Sequence, residues 1–273
     1  MGAALEKHWP EYCIEAACLG IFMLSACLFG VLLEHPASVL HRVLPNPFAR
    51  RALMGVAMGL TAIAIVYSPW GRRSGAHINP GVTVSFLRLK KVTPIDSMFY
   101  IVAQCAGAVA GVLVARFIFA LPIEDPAVNW VATIPGQHGA LVAFAAELAI
   151  SFFLMTVVLV MTRHPRSEPW TGWAAGACVC LFITFEAPLS GMSMNPARTL
   201  GSALPAGEWG GFWIYASAPL IGMLAAAESS RFWPRLREAG CAKLRHCERV
   251  PCIFCGTTGR TPSRALIEGC KET

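Results

Sequence analysis

One ten-residue pattern occurs twice in the chain, and the two copies constrain the fold more than any other feature. Residues 74–83 read S-G-A-H-I-N-P-G-V-T, and residues 190–199 read S-G-M-S-M-N-P-A-R-T. Both copies fit S-G-x-x-x-N-P-x-x-T, and each follows the second apolar stretch of its half of the chain. An internal repeat of this kind predicts that the two halves build related units.

Six apolar stretches surround the two copies of the pattern. A helix needs about 20 mostly apolar residues to cross the roughly 30 Å hydrocarbon layer of a bilayer. The stretches that approach this length are 12–33, 52–69, 96–119, 139–161, 171–187 and 211–230. Hydrophobic residues make up 55% of the 273-residue chain and charged residues only 14%, which argues against an ordinary soluble domain. We therefore predict six transmembrane helices.

The order of the stretches indicates how the two halves lie in the membrane. Three stretches precede the midpoint and three follow it, so the second half enters the bilayer from the opposite side. The segments that begin at the Asn-Pro pairs, 79–89 and 195–204, are too short to cross. The predicted fold class is an all-α membrane protein, with six transmembrane helices and two re-entrant half-helices in an inverted repeat.

Each Asn-Pro pair has the residue types that begin a helix. Asn is a preferred N-cap, and Pro at the first helical position loses only an N–H that would be unpaired. Two half-helices that enter from opposite faces bring their positive N-termini together at mid-membrane, where they repel cations and protons. The Asn amides add donors that orient a passing oxygen and interrupt a proton-conducting chain of waters. The predicted pore motifs are Asn79, Pro80, Gly81, Asn195, Pro196 and Ala197.

Three further polar residues are predicted to lie near this pore. Glu15 and Glu147 each lie in the first apolar stretch of their half, where a carboxylate needs partners. We predict that both accept hydrogen bonds from backbone N–H groups of the nearby re-entrant loops. A role in proton transfer and a solvent-facing position at a helix end are the alternatives. His77, inside the first copy of the pattern, is predicted to line the pore or to support its loop.

Positive charge is distributed unevenly between the predicted loops. With both termini in the cytoplasm, most Lys and Arg residues of the short loops, such as Arg72, Arg73, Lys90 and Arg163, fall on the cytoplasmic side. A bias of this kind sets the orientation of a membrane protein. It also accounts for the formal net charge of +6 without a nucleic-acid partner. We predict an integral protein of the cell (inner) membrane, with both termini cytoplasmic and the lipid bilayer around it.

These features divide the chain into three segments. Residues 1–11 are predicted as an N-terminal cytoplasmic segment, residues 12–232 as the channel domain, and residues 233–273 as a cytoplasmic tail. The tail is polar and basic, and it has no periodic apolar face, so we predict that it is largely disordered. Of the 11 Cys residues, none lies in a predicted outer loop, and no extracellular disulfide framework is expected.

The tail is rich in metal-binding residue types. It contains Cys241, His246, Cys247, Cys252, Cys255 and Cys270. A C-x-x-C pair with a nearby Cys or His can hold tetrahedral zinc, but this chain has no second pair at the standard spacing. The prediction is therefore no metal site and no cofactor, with Cys247, Cys252 and Cys255 as the candidates if a metal binds. Reduced free thiols and a lipidated Cys are the alternatives.

The chain resembles the major intrinsic protein family of aquaporins and aquaglyceroporins over residues 10–232. Residues 193–203, S-M-N-P-A-R-T-L-G-S-A, are similar to the second signature of that family, and the first copy of the pattern resembles the first signature. Gly81 takes the place of the usual Ala. The resemblance implies a pore in each subunit of a homotetramer. It also implies an outer constriction, the selectivity filter, formed by Met58, Ile183, Met192 and Arg198.

The filter residues give a divided indication of selectivity. Water-selective members of the family have His where Ile183 stands and an aromatic residue where Met58 stands, so strict preference for water is weakened here. Glycerol-conducting members usually have Asp directly after the Arg and Lys four positions later. This chain has Thr199 and Ala203, as water-type members do. We predict a passive channel for water, and for small uncharged solutes, that excludes ions and protons.

Other functions stay open at this point. One is a channel mainly for glycerol or another small neutral solute. Another is a secondary transporter, since inverted repeats and broken helices occur in that class too, although a transporter normally has several polar residues at depth. A membrane enzyme would depend on the tail cysteines alone, so no catalytic residue and no enzymatic activity are predicted.

Overall fold

The regular structure is helical throughout the part of the chain that the structure, a computed structural model, describes. This part comprises residues 2–233, 240–246 and 252–256. It contains α-helices and short 3-10 turns, and no strand occurs in these ranges. The α-helices are α1 (Gly2–Glu34), α2 (Val39–Val43), α3 (Pro47–Tyr67), α4 (Pro69–Ser74), α5 (Pro80–Arg88), α6 (Pro94–Phe119), α7 (Gly139–Thr162), α8 (Thr171–Phe185), α9 (Ala187–Ser190), α10 (Pro196–Ala206) and α11 (Phe212–Ser229).

Six of these helices lie at the six predicted spans, and α5 and α10 lie at the two predicted half-helices. Four of the long helices, α1, α3, α6 and α7, are long and apolar enough to cross a membrane. Helix α8 has 15 residues and α11 has 18. At 1.5 Å per residue, α8 covers only about 22 Å. The 3-10 turn Glu168–Trp170 and helix α9 lie directly before and after it.

The first helix begins much earlier than predicted. It starts at Gly2 rather than at residue 12, so the N-terminal segment 1–11 continues into the first span, with only Met1 outside the described residues. Charged side chains end an apolar run, but they do not end a helix. The added turns are held against α6, because His8 Nδ1 lies 2.8 Å from Asp96 Oδ1 and the Tyr12 hydroxyl donates to the same oxygen at 2.6 Å.

The helices pack in pairs that repeat in the two halves. Helix α1 packs along α6, α7 packs along α11, and α3 and α8 pack together between the halves. A Cβ on Gly107 of α6 would lie 2.0 Å from the Ala16 carbonyl oxygen, and a Cβ on Gly222 of α11 would lie 2.4 Å from that of Leu148. Only glycine permits these backbones to approach so closely, as is common between helices in membranes. The matching contacts are those of an inverted repeat.

The two half-helices cross from one half of the molecule to the other. Helix α5 of the first half packs against α11 of the second, and α10 of the second half packs against α6 of the first. Each half-helix also contacts the third long helix of its own half. The loops that precede α5 and α10 are therefore brought together inside the bundle.

Candidate functional site

Asn79 and Asn195 are the N-caps of the two half-helices. Asn79 Oδ1 accepts a hydrogen bond from Gly81 N at 2.8 Å. Asn195 Oδ1 accepts from Ala197 N at 3.1 Å and from Arg198 N at 3.2 Å. Both helices have proline as their first residue. Each asparagine oxygen thus satisfies backbone N–H groups that the first turn of a helix leaves unpaired.

The same two side chains also join the two loops to each other. Asn79 Nδ2 donates to the Met194 carbonyl oxygen at 2.7 Å, and Asn195 Nδ2 donates to the Ile78 carbonyl oxygen at 2.7 Å. The N-termini of the half-helices therefore face each other. An amide nitrogen carries two hydrogens, so each asparagine keeps one N–H beyond this bond. Both asparagines line the central cavity.

Glu15 holds the first loop from helix α1. Its Oε1 accepts from the Ser74 hydroxyl at 2.7 Å and from His77 N at 3.1 Å. Its Oε2 accepts from Ile78 N at 2.7 Å and from Gln104 Nε2 at 2.9 Å. The carboxylate is fully buried. A buried charge is stable only when its lone pairs are satisfied, and four donors satisfy them here.

Glu147 of α7 holds the second loop in the corresponding way. Its Oε1 accepts from the Ser190 hydroxyl at 2.9 Å and from Ser193 N at 2.6 Å, and its Oε2 accepts from Met194 N at 2.7 Å. The backbone donors come from the re-entrant loop, as in the first half. Two carboxylates from equivalent helices thus fix two equivalent loops.

The fixed loops contain backbone conformations that residues other than glycine rarely adopt. Two residues other than glycine in each loop have positive φ angles, namely Ala76 (53°), Ile78 (41°), Met192 (53°) and Met194 (53°). Such residues cost of order 1–3 kcal/mol each and occur where the surroundings hold them. Here the N–H groups of Ile78 and Met194 donate to the two carboxylates, which are therefore part of what holds the strained turns.

A cavity of 420 Å³ runs along the two loops. Its lining extends from Glu34 and Arg51, at the end of α1 and the start of α3, to Leu244 of the tail. The remaining wall is mostly apolar, with Phe22 and Val82 among its side chains. Channels achieve selective passage with a mostly apolar wall that carries a few polar groups, and this cavity has such a wall.

All four residues of the predicted selectivity filter line this cavity. Met58 comes from α3, Ile183 from α8, Met192 from the second loop and Arg198 from α10. The guanidinium group of Arg198 donates from Nη1 to the Thr133 hydroxyl at 2.6 Å. The charged group is thus turned toward the connection between the two halves. Three apolar side chains and one cation face a common lumen.

One lining residue, Met54, and one residue behind the lining, Thr133, were not foreseen from the sequence. Met54 lies one turn before Met58 on α3 and adds a further thioether to the wall. Thr133, which positions Arg198, also lies 3.2 Å from the Thr199 hydroxyl. A period of four residues on α3 was a usable signal for Met54. A single threonine in a long connection offers no signal, because only the folded chain brings it to Arg198.

His77 lies at the cavity wall near the tail. Its Nδ1 is 3.1 Å from the Thr83 hydroxyl, and its Nε2 is 2.8 Å from the carbonyl oxygen of Ala242. The ring stacks on Phe86 at 5.3 Å and on Phe254 at 5.4 Å between centroids. His77 therefore joins the first re-entrant loop to the tail.

The tail segments 240–246 and 252–256 pack against the helical bundle, and we refer to them as the tail plug. Leu244 lines the cavity, and its N–H donates to the Gly75 carbonyl oxygen at 3.1 Å. These segments depart from the predicted disorder, because the helical bundle supplies the partners that their own sequence lacks. Of the predicted metal candidates, Cys252 and Cys255 lie in the plug, and Cys247 lies outside the described residues.

Six long helices and two half-helices around one lumen define an integral membrane protein with the aquaporin-like fold. The family model described as "Major intrinsic protein" matches residues 6–228. The chain therefore belongs to the major intrinsic protein family.

Individual relatives and one solved structure agree with this assignment. The chain is 36% identical over 173 residues to Aquaporin NIP2-3 of Zea mays, a match that covers 63% of this chain and 55% of the relative. It is 35% identical over 175 residues to Nodulin-26 of Glycine max, covering 64% and 62%. The matches thus span less than two thirds of these relatives. The aquaglyceroporin from Plasmodium falciparum has the same fold, with a TM-score of 0.64 at 19% identity over 81% of this chain and 94% of that chain.

Proposed function

We propose that this chain is a passive channel for water that also admits small uncharged solutes and excludes ions and protons. The observation that carries the proposal is the reciprocal pair of hydrogen bonds by which Asn79 and Asn195, both on the wall of one cavity, join the two opposing loops. The names of the relatives, which include aquaporins and an aquaglyceroporin, agree with it. The proposed function is transport, without a chemical reaction.

Exclusion of ions follows from the charge at the middle of the lumen. Each half-helix N-terminus carries about half a positive charge, and the two face each other across the asparagines. The remaining N–H of each asparagine donates to a passing oxygen. A water molecule that accepts both bonds directs its own hydrogens away from the centre, so protons cannot be relayed along the file. Arg198 adds a permanent positive charge nearer the outer mouth.

Passage of water follows from the composition of the wall. Most of the wall is apolar, with Phe22, Met58 and Val82 among its side chains. The polar or charged side chains of the lining are Glu34, Arg51, His77, Asn79, Ser193, Asn195 and Arg198. A permeating molecule that binds weakly, and at only a few positions on the wall, can leave the lumen as readily as it enters. The lumen therefore favours rapid passage of small neutral molecules over binding and release by a conformational cycle.

The filter supports a second candidate, a channel mainly for glycerol or another small neutral solute. Met58, Ile183 and Met192 are all apolar, and no imidazole competes for the hydrogen bonds of a water molecule among these three filter positions. Methionine side chains are flexible and adapt to different shapes. An apolar filter of this kind accepts the carbon skeleton of a small alcohol on one side while Arg198 donates to its hydroxyl groups.

The proposal extends to the setting of the channel. We place residues 12–232 as the channel domain and residues 233–273 as a cytoplasmic tail, in a cell (inner) membrane. Both termini then lie in the cytoplasm, in agreement with the positive charge of Arg72, Arg73 and Arg163. We also propose a homotetramer, in which each subunit has its own lumen.

Stopped-flow light scattering on proteoliposomes tests the function directly. The purified full-length chain, reconstituted with a metal chelator on both sides, should shrink the vesicles faster than protein-free vesicles do in an osmotic gradient. Parallel gradients of glycerol and urea rank the solutes. A solute flux that saturates and depends on an ion gradient would instead identify a secondary transporter.

A matched pair of variants tests whether the water flux passes through this lumen. Met58→Trp places a large ring in the cavity and should reduce water permeability to the level of protein-free vesicles. Met98→Trp makes the same change on the outer surface of α6, where Met98 is 40% exposed, and should have no effect. Equal water permeability of the Met58→Trp variant and the unaltered chain, with both correctly assembled by size-exclusion chromatography, would contradict the proposed route.

A further inference from the structure

Four metal-binding side chains come together in the tail plug, outside the lumen. They are Cys241, His246, Cys252 and Cys255. Their sulfur and ring-nitrogen atoms all lie within 4.8 Å of one another. The sulfurs of Cys241 and Cys252 are 3.4 Å apart, and His246 Nε2 is 3.2 Å from the sulfur of Cys255. The cluster joins residues from both described tail segments.

These distances suit a tetrahedral metal site. Zinc binds sulfur at about 2.3 Å and imidazole nitrogen at about 2.0–2.1 Å, so neighbouring ligand atoms in a tetrahedron lie about 3.5–3.8 Å apart. Three thiols and one imidazole are a common structural zinc set, whereas calcium and magnesium take oxygen ligands. A disulfide needs sulfur atoms at about 2.0 Å and would leave the other two side chains without a role.

The cluster lies next to Leu244, the tail residue that lines the cavity. Lys243 is only 1% exposed, and its ammonium donates to the Arg72 carbonyl oxygen at 2.9 Å. Arg245 Nη1 donates to Glu168 Oε2 at 2.6 Å, and His246 N donates to Glu168 Oε1 at 2.6 Å. Glu168 thus fixes both Arg245 and the backbone of His246, one of the four metal-binding residues, to the channel.

We propose that Cys241, His246, Cys252 and Cys255 bind one zinc ion, and that this ion holds the tail plug in the cytoplasmic end of the lumen as a metal-dependent gate. The gating half of the inference rests on the proposed channel function, whereas zinc binding does not.

The tail plug needs a bound metal ion for stability because it makes few apolar contacts of its own. Among the residues of the tail plug, Ala242, Leu244 and Phe254 are the apolar side chains that pack on the channel core. Ordering a segment costs conformational entropy, and small units with little core are commonly stabilised by a structural metal. Removal of zinc should therefore release Leu244 from the lumen and Phe254 from His77.

Zinc binding is measured on the purified, tag-free full-length chain by elemental analysis after zinc addition and desalting. We expect about one zinc ion per chain. The double variant Cys252→Ser with Cys255→Ser should retain less than about a tenth of it. Cys13→Ser, which removes an exposed thiol of α1, is the matched control and should bind as the unaltered chain does. Substoichiometric zinc, or a Cys241–Cys252 disulfide in mass spectra, overturns the site.

Gating is measured by stopped-flow on the same proteins, with zinc or a chelator on both sides of the vesicles. Zinc should reduce water flux through the unaltered chain to the level of protein-free vesicles, and it should leave the double Ser variant unaffected. Phe254→Ala should keep its zinc and lose much of the inhibition. Flux that is equal in zinc and chelator, with zinc bound, overturns the gate. Absence of flux in every arm contradicts the channel itself, while the zinc stoichiometry still decides the metal site.

Discussion

Asn79 and Asn195 each donate a side-chain hydrogen to the loop that precedes the other residue, at 2.7 Å in both cases. Each also caps its own half-helix. The two residues therefore set the half-helix positions and the polarity of the lumen together. A change at either one acts on both loops.

Asn79→Asp should make the channel leak cations. The carboxylate can still cap Gly81 N, but it cannot donate to the Met194 carbonyl oxygen. A unit charge about 4 Å from an ion is worth roughly 4 kcal/mol at an effective dielectric constant of about 20, so cation flux should rise by about tenfold or more. Ion flux into proteoliposomes loaded with a fluorescent indicator measures the effect.

Asn46→Asp is the control for this experiment. Asn46 caps α3 by accepting from Phe48 N at 2.8 Å, and it lies outside the lumen. The same chemical change there should leave ion exclusion intact. If both variants exclude ions as well as the unaltered chain does, the central asparagine does not set the ion barrier.

Glu147→Gln should destabilise the protein without altering the pH dependence of transport. The Gln amide keeps one oxygen but turns its NH2 toward donors of the second loop, which leaves a buried N–H without an acceptor. Such a loss costs about 1–3 kcal/mol. Thermal unfolding in detergent should show a lower Tm than that of the exposed control Glu208→Gln. A changed pH profile of water flux, with assembly intact, would instead indicate a role in proton transfer.

Gly81→Ala should cost a small amount of stability that a second substitution restores. The added Cβ would lie 2.6 Å from Met223 Sδ and 3.2 Å from Asn79 Oδ1. Overpacking of this kind costs about 1–3 kcal/mol, and the flexible methionine should keep the cost near the lower limit. Gly81→Ala with Met223→Val should be more stable than the sum of the single changes predicts. Additive shifts in Tm would show that the two positions are not coupled.

Gly210→Ala provides the control for that pair. A Cβ at Gly210 meets nothing within 4 Å. The change should therefore leave Tm almost unaltered, which separates the steric effect at Gly81 from the general effect of replacing glycine by alanine.

Arg198→Ala should admit larger neutral solutes. The substitution removes the one permanent charge among the four filter residues and the volume of the longest side chain, so glycerol and urea flux should rise relative to water. Thr133→Val, which removes the acceptor of Arg198 Nη1, should change selectivity in the same direction but less. Arg116→Ala, in the last turn of α6 and not among the lining residues, is the control. An unchanged solute profile for Arg198→Ala would remove this residue from the constriction.

The central part of the molecule could be predicted because its signals are local. A helix start needs only Asn and Pro at adjacent positions, and a carboxylate in an apolar stretch must find donors. Both requirements occur twice in the chain, at Asn79 with Glu15 and at Asn195 with Glu147. The repetition predicted that the two halves are related and face each other. The family match and the similarity to a solved aquaglyceroporin confirm the fold.

The tail could not be predicted in the same way, because its order depends on distant contacts. Leu244 is held by Gly75 and Phe254 by His77, and neither contact leaves a pattern in the tail itself. The same holds for the proposed metal ligands. Cys241 and His246 come close to the C-x-x-C pair only after the tail has folded onto the channel.

The crossed asparagine bonds imply that neither half can be a working unit alone. Glu15 and Glu147 can each tie down a loop of their own half, so a separate half could in principle close its turn. The side-chain amide of its asparagine would then have no carbonyl oxygen of an opposite loop to which it could donate. The permeation path lies between the two halves. A substitution in one re-entrant loop is therefore tolerated only if the opposite loop can still bind to it.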